Sequence, residues 1–176
     1  MKRTEFEHAI RAAASILGTD ELMVIGSQAL HGTVSTELPE AAQRSVEVDV
    51  VALDDVEGRK ADLIDGSIGE ASMFHETFGY YAQGVSESTA VLPEGWRDRL
   101  VRFETPATNG VVAWCLEVHD LWISKAIANR EKDIEFCKAL FDAGIVDKAI
   151  LRARLETVSD LATELRQVVG HRIDGR

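Results

Sequence analysis

The clearest pattern along the chain is the alternation Val46-Glu47-Val48-Asp49-Val50-Val51. Period-two spacing predicts a strand with Glu47 and Asp49 on one face and Val46, Val48 and Val50 on the other. About twenty residues earlier, Leu22-Met23-Val24-Ile25 reads as a short buried strand closed by Gly26-Ser27. Ser27 to Leu30 then opens a helix, with Ser27 placed to cap it. Ahead of both, Phe6, Ile10, Ala13, Ala14 and Leu17 recur at helical spacing from Thr4 to Leu17, and Gly18 is the stop signal.

The remaining pattern is uneven. Gly32 to Ser45 carries Thr, Ser and Pro and reads as a loop with room for a short helical turn. Arg59 to Ile64 predicts a helix ending near Gly66. Residues 67–90 give no clear element: Gly69, Gly79 and Gly84 punctuate them, and Phe74, Phe78, Tyr80 and Tyr81 need burial. Pro93 and Gly95 make a turn. Leu100 to Phe103 and Val111 to Leu116 predict a hairpin across Thr105 to Gly110.

From Val118 the spacing is helical. Asp120 is the expected N-cap before Leu121, Ile123, Ile127 and Ala128, and Ile134 to Phe141 continues to a stop at Gly144. Helices over Lys148 to Glu156 and Ser159 to Val169 follow. The order of elements predicts an α+β fold: a mixed sheet flanked by helices, followed by a C-terminal helical half. Residues 1–117 form the α/β core and 118–176 the helical region, packed as a single compact unit.

Charge and composition narrow the functional classes. The net charge of −11 argues against indiscriminate binding to nucleic acid or anionic membranes. Local basic clusters remain at Arg97, Arg99 and Arg102, and at Lys125, Arg130 and Lys132. No apolar stretch approaches membrane-spanning length and no apolar signal core precedes the first helix, so a cytoplasmic location is expected. Cys115 and Cys137 lie among apolar neighbours outside any Cys-x-x-Cys pair and read as reduced, buried thiols. The five histidines lack the spacing of a helical zinc site. His75 beside Glu76 reads as a structural histidine in an aromatic cluster. No Gly-x-Ser-x-Gly elbow, P-loop or dinucleotide fingerprint occurs.

Glu47 and Asp49 are neighbouring like charges on one strand face, and a divalent cation between them relieves the repulsion. Carboxylate oxygens suit Mg²⁺, which brings phosphate with it. The Gly26-Ser27 turn offers backbone N–H groups to phosphate. Together they point to metal-dependent chemistry on a nucleotide. A solvated edge-strand face is the plain alternative.

Gly26-Ser27 followed by Glu47-x-Asp49 resembles the core signature of the nucleotidyltransferase superfamily, the DNA polymerase β-like fold. The stretch from Asp120 through Lys125 to Arg130-Glu-Lys132-Asp133 is similar to the Lys…Arg-x-Lys-Asp helix of abortive-infection nucleotidyltransferases, toxins of bacterial toxin–antitoxin pairs. Phe74 to Gly84 and Leu92 to Trp96 resemble an uncharacterised bacterial branch of that group. The likeness spans roughly Leu22 to Asp142. Glu47 stands where the superfamily more often has Asp, and the interval from Ser27 to Glu47 is longer than usual, implying an inserted loop around His31 to Ser45.

The resemblance implies Mg²⁺ or Mn²⁺ held by Glu47 and Asp49, with a third acid from a neighbouring strand. Glu117 is the preferred third acid and Glu104 the alternative. It implies that Gly26 and Ser27 bind the triphosphate, that Lys125 reaches it from the helix, and that Asp133 positions Lys125 or a metal-bound water. Arg130 and Lys132 are candidate contacts to phosphate or an RNA acceptor. The implied reaction moves a nucleoside monophosphate from a nucleoside triphosphate to a tRNA 3′ end or a protein hydroxyl, with a cognate antitoxin as partner. A catalytically degenerate nucleotide- or partner-binding module and an antibiotic-modifying nucleotidyltransferase are the alternatives. Trp114, Trp122 and the C-terminal helices are the surfaces offered for a homodimer.

Overall fold

The computed structural model describes residues 1–55 and 57–175. Glu21–Val24 (β1), Glu47–Val51 (β2), Tyr81–Gly84 (β3), Val101–Phe103 (β4) and Val112–Cys115 (β5) form one mixed sheet in the order β3-β2-β1-β5-β4. β1 is antiparallel to β2 and parallel to β5. β3 runs parallel to β2, and β4 closes the other edge antiparallel to β5. The α+β class and the expected β4–β5 hairpin are both present.

One sheet face carries the main core. Leu22, Val24, Val48, Val50, Ala82 and Ala113 are fully buried there, with Phe6 and Ile10 of the first helix, α1 (Arg3–Leu17). Each such large side chain contributes about 2 kcal/mol of transfer free energy. Gly18 ends α1 in the left-handed conformation, φ 64°. The opposite face holds a much smaller cluster of Met23, Ile25 and Val51, packed against Trp96, Leu100 and Trp114. Alternation puts Glu47 and Asp49 on this second face, while Val48 and Val50 enter the main core.

Between β1 and β2 the chain makes a 3₁₀ turn, Ser27–Ala29, then α2 (Leu30–Thr33) and α3 (Glu40–Gln43). Gly26, not Ser27, stands at the cap position, and no side chain bonds that end. The Ser27 hydroxyl instead lies 3.4 Å from the Gln28 side-chain amide that donates to it. α4 (Arg59–Ile68) runs through Gly66 and stops at Gly69.

Residues 67–90 contain α5 (Met73–Phe78) and the edge strand β3. α4 crosses β3 so closely that a Cβ on Gly84 would sit 2.2 Å from the Ala61 carbonyl oxygen. Glycine there is a packing requirement, which its appearance as loop punctuation disguised.

The C-terminal half is α6 (Val118–Ala128), α7 (Glu131–Asp142), α8 (Lys148–Glu156) and α9 (Thr163–Asp174). Lys125 and Asp133 do not share a helix. Asn129, at φ 57°, ends α6 in the left-handed conformation, and Arg130 starts α7. The cap of α6 is Glu117, whose carboxylate accepts from the His119 and Asp120 N–H groups. Asp120 lies in the first turn and is fully buried. α9 begins at Thr163, later than the spacing predicts.

Candidate active site

Ser27, Glu47, Asp49, Lys125, Arg130, Lys132 and Asp133 line one cavity of about 270 Å³. Four separated segments converge on it: the turn after β1, the strand β2, the end of α6 and the start of α7. Ala41, Ala42, Arg44 and Ser45 of the β1–β2 connection form another wall, with Glu135 and Phe136 of α7. The inserted loop implied by the long Ser27–Glu47 interval therefore lines the same cavity. Arg44 reaches across to Glu135 at 2.7 Å, joining the two sides.

Gly26 and Asp49 approach each other closely beside the cavity. A Cβ on residue 26 would lie 1.5 Å from Asp49 Oδ2, so the carboxylate fills the space a side chain would take. Burial, then the hydrogen bond and charge of Glu47, push the Asp49 carboxyl up to about 7, with Lys125 and Lys132 pulling the other way. A proton shared between two crowded carboxylates is the response expected of like charges held together without a cation. Glu47 accepts a hydrogen bond from the Tyr81 hydroxyl at 3.0 Å. Burial and the bond to Glu47 raise the Tyr81 phenol well above its usual range, so it stays a donor.

The cations are unequally engaged. Asp133, 2% exposed, takes a bidentate grip from Arg130, at 2.5 Å from Nε and 3.2 Å from Nη2. Lys125 Nζ is 3.7 Å from the same carboxylate. The tight α6–α7 turn achieves what a continuous helix could not, bringing residues eight apart into contact. Lys132 lines the cavity and, among the described residues, makes no ion pair within 4 Å.

Other expected residues lie elsewhere. Glu117 is outside the cavity lining and engaged in capping α6 and in a 2.7 Å bond to His119 Nδ1. Burial works against its ionisation, but the His119 and backbone bonds hold it below the usual carboxylate range. Glu104 is paired with Arg102, also away from the cavity. Arg97 pairs with Glu87 and Arg99 with Asp120, so that basic cluster is spent on ion pairs within the chain. Trp122 is buried, its indole N–H donating to the Cys137 carbonyl, and offers no surface for pairing. His75 packs its ring on Tyr81 and accepts from the Ala71 N–H, a structural place.

The donor set can be tested against the cation the sequence implies. Among the described residues no group of three or more His, Cys, Asp or Glu side chains is arranged to hold a metal. Mg²⁺ bound with a nucleotide takes one or two carboxylates and completes its shell with phosphate and water. A half-buried pair of carboxylates beside Ser27 and unpaired Lys132 fits that pattern.

A sequence profile for a family described as nucleotidyltransferase of unknown function (DUF6036) matches residues 5–169. The chain belongs to that family. No curated protein and no solved structure gives a significant match. No helix among the described residues is long and apolar enough to cross a membrane.

For this member of the DUF6036 nucleotidyltransferase family, two kinds of residue at or beside the cavity were not visible as such in the sequence. Tyr81 looked like one more aromatic needing burial; its role depends on which strand lies beside β2. Arg44 and Phe136 reach the cavity through the packing of α3 on α7, which no local pattern announces.

Proposed function

We propose that the chain is a metal-dependent nucleotidyltransferase that moves a nucleoside monophosphate from a nucleoside triphosphate to a hydroxyl acceptor. The observation that carries this reading is the convergence of two crowded carboxylates, a glycine-serine turn and two lysines on one cavity. Glu47 and Asp49 hold the divalent cation, which neutralises phosphate charge and lowers the pKa of the attacking hydroxyl. The Ser27 hydroxyl and Lys132 bind the triphosphate. Lys125, held by Asp133, places a second positive charge where the leaving pyrophosphate gathers charge. Arg130 holds the Asp133 carboxylate in place through its two hydrogen bonds. The acceptor is the 3′ end of an RNA or a hydroxyl of a protein, as in the toxins that Lys125 to Asp133 resemble.

Incubation with each α-labelled nucleoside triphosphate, Mg²⁺, and cellular RNA or protein tests the reading. The fraction that takes up label identifies the acceptor. Absence of transfer and of Mg²⁺-dependent nucleotide binding would refute it. A second reading is a nucleotide-binding module without catalysis, favoured by the lack of a third acid beside Glu47 and Asp49. Mg²⁺-dependent nucleotide binding without any label transfer would select it.

A further inference from the structure

We infer that Tyr81 is a positioning residue whose hydroxyl fixes the Glu47 carboxylate for the cation, an inference that rests on the reading of Glu47 and Asp49 as its ligands. The strand register brings the two residues together. β3 is parallel to β2, with Tyr81 beside Glu47 and Gln83 beside Asp49. The strand neighbouring the acid pair therefore presents a phenol and an amide, while Glu117 and Glu104, the candidates for the implied third acid, lie outside the cavity lining.

Glutamate has one more rotatable bond than aspartate, so its carboxylate sweeps a wider arc from the same backbone position. The Tyr81 hydroxyl, 3.0 Å from Glu47 Oε2, removes that freedom while leaving the other oxygen unused by this bond. The tyrosine is itself held. Tyr81 is 8% exposed, and its ring packs at 4.7 Å between centroids against His75, which Ser72 anchors through the cap of α5. A neutral donor is the right chemistry here. An arginine or lysine at that place would pair with Glu47 and compete with the cation for it, whereas a phenol orients the carboxylate without bringing a charge of its own. Partners of metal ligands acting in this way typically change metal affinity by about 10–100-fold when removed.

The test is a double-mutant cycle read by Mn²⁺ binding, with free Mn²⁺ followed by electron paramagnetic resonance and no turnover required. Tyr81→Phe keeps the ring and deletes the hydroxyl. Glu47→Asp draws the carboxylate back by roughly 1.5 Å, one C–C bond, beyond reach of the phenol. Tyr81→Phe in the native background is expected to weaken Mn²⁺ binding about tenfold. In the Glu47→Asp background the same change is expected to do nothing measurable. Unchanged affinity in Tyr81→Phe, or equal weakening in both backgrounds, overturns the role given to Tyr81. Failure of the unsubstituted protein to bind Mn²⁺, with or without nucleotide, instead overturns the acid-pair reading, and this shows before any substitution is made.

Discussion

Two sets of acids in this molecule, one buried and one half-buried, are treated in opposite ways. Asp120 is fully buried and met by Arg99 at 2.8 and 3.0 Å and by Arg154 at 3.2 Å. Asp133 is likewise matched by Arg130 and Lys125. Glu47 and Asp49 have no cation within ion-pair distance among the described residues; a phenol donates to one and glycine makes room for the other. Where an acid serves the fold, the chain supplies the opposite charge itself, because an unmatched buried charge costs several kcal/mol. At Glu47 and Asp49, which the proposed function gives to a cation, the same chain supplies no such partner among the described residues. Asp133 stands between the two cases, since its partners also face the cavity.

The sharpest way to break this contrast is at Asp49. Asp49→Ala is expected to abolish label transfer, roughly a thousandfold or more, as loss of a group acting on transition-state charge commonly does. Its circular dichroism and melting temperature should be preserved or improved, because a repulsive contact is removed. Transfer at the native rate would end the assignment. Asp120→Ala should do the reverse. Leaving Arg99 and Arg154 half-buried and unmatched is expected to lower stability by about 3 kcal/mol in urea denaturation. A loss below 1 kcal/mol would show that Asp120 is not the internal counterpart described.

Lys125→Ala is expected to weaken nucleoside triphosphate binding tenfold, about 1.4 kcal/mol, by calorimetry. Unchanged affinity removes Lys125 from the phosphate site and assigns it wholly to Asp133.

The last prediction concerns pH. A carboxyl whose pKa rises from 3.8 to about 7 on folding binds more protons in the native state between those values. Stability of the metal-free protein should therefore fall as pH rises from about 4 through about 7, and Asp49→Asn should flatten that slope. Mg²⁺ competes with the proton for Asp49, so its stabilising effect should be larger at pH 8 than at pH 5. A melting-temperature series with and without Mg²⁺ reads both. Equal stabilisation at the two pH values would contradict a shared site.

Much of this was legible from local pattern, and the rest was not for identifiable reasons. α1 follows from apolar spacing and a glycine stop, and β2 from alternation; each signal is contained within its own element. The Gly26-Ser27 and Glu47-x-Asp49 motifs likewise mark the residues that meet in the cavity. β3 is four residues long and ends in a glycine demanded by α4, so nothing in its own sequence identifies a strand. The break at Asn129 uses neither glycine nor proline, so α6 and α7 read as continuous. Glu117 took the cap expected of Asp120 because either acid can cap a helix, and Asp120 is instead held by Arg99 and Arg154, which are distant in sequence. Tyr81 depends on strand order, which alternation cannot reveal.

The bare α-carbon at position 26 also carries an evolutionary consequence. Because the Asp49 oxygen occupies the volume that any methyl there would claim, the two positions cannot drift independently. Relatives that replace this glycine should have lost the aspartate too, so the pair would survive or vanish together in an alignment of the family.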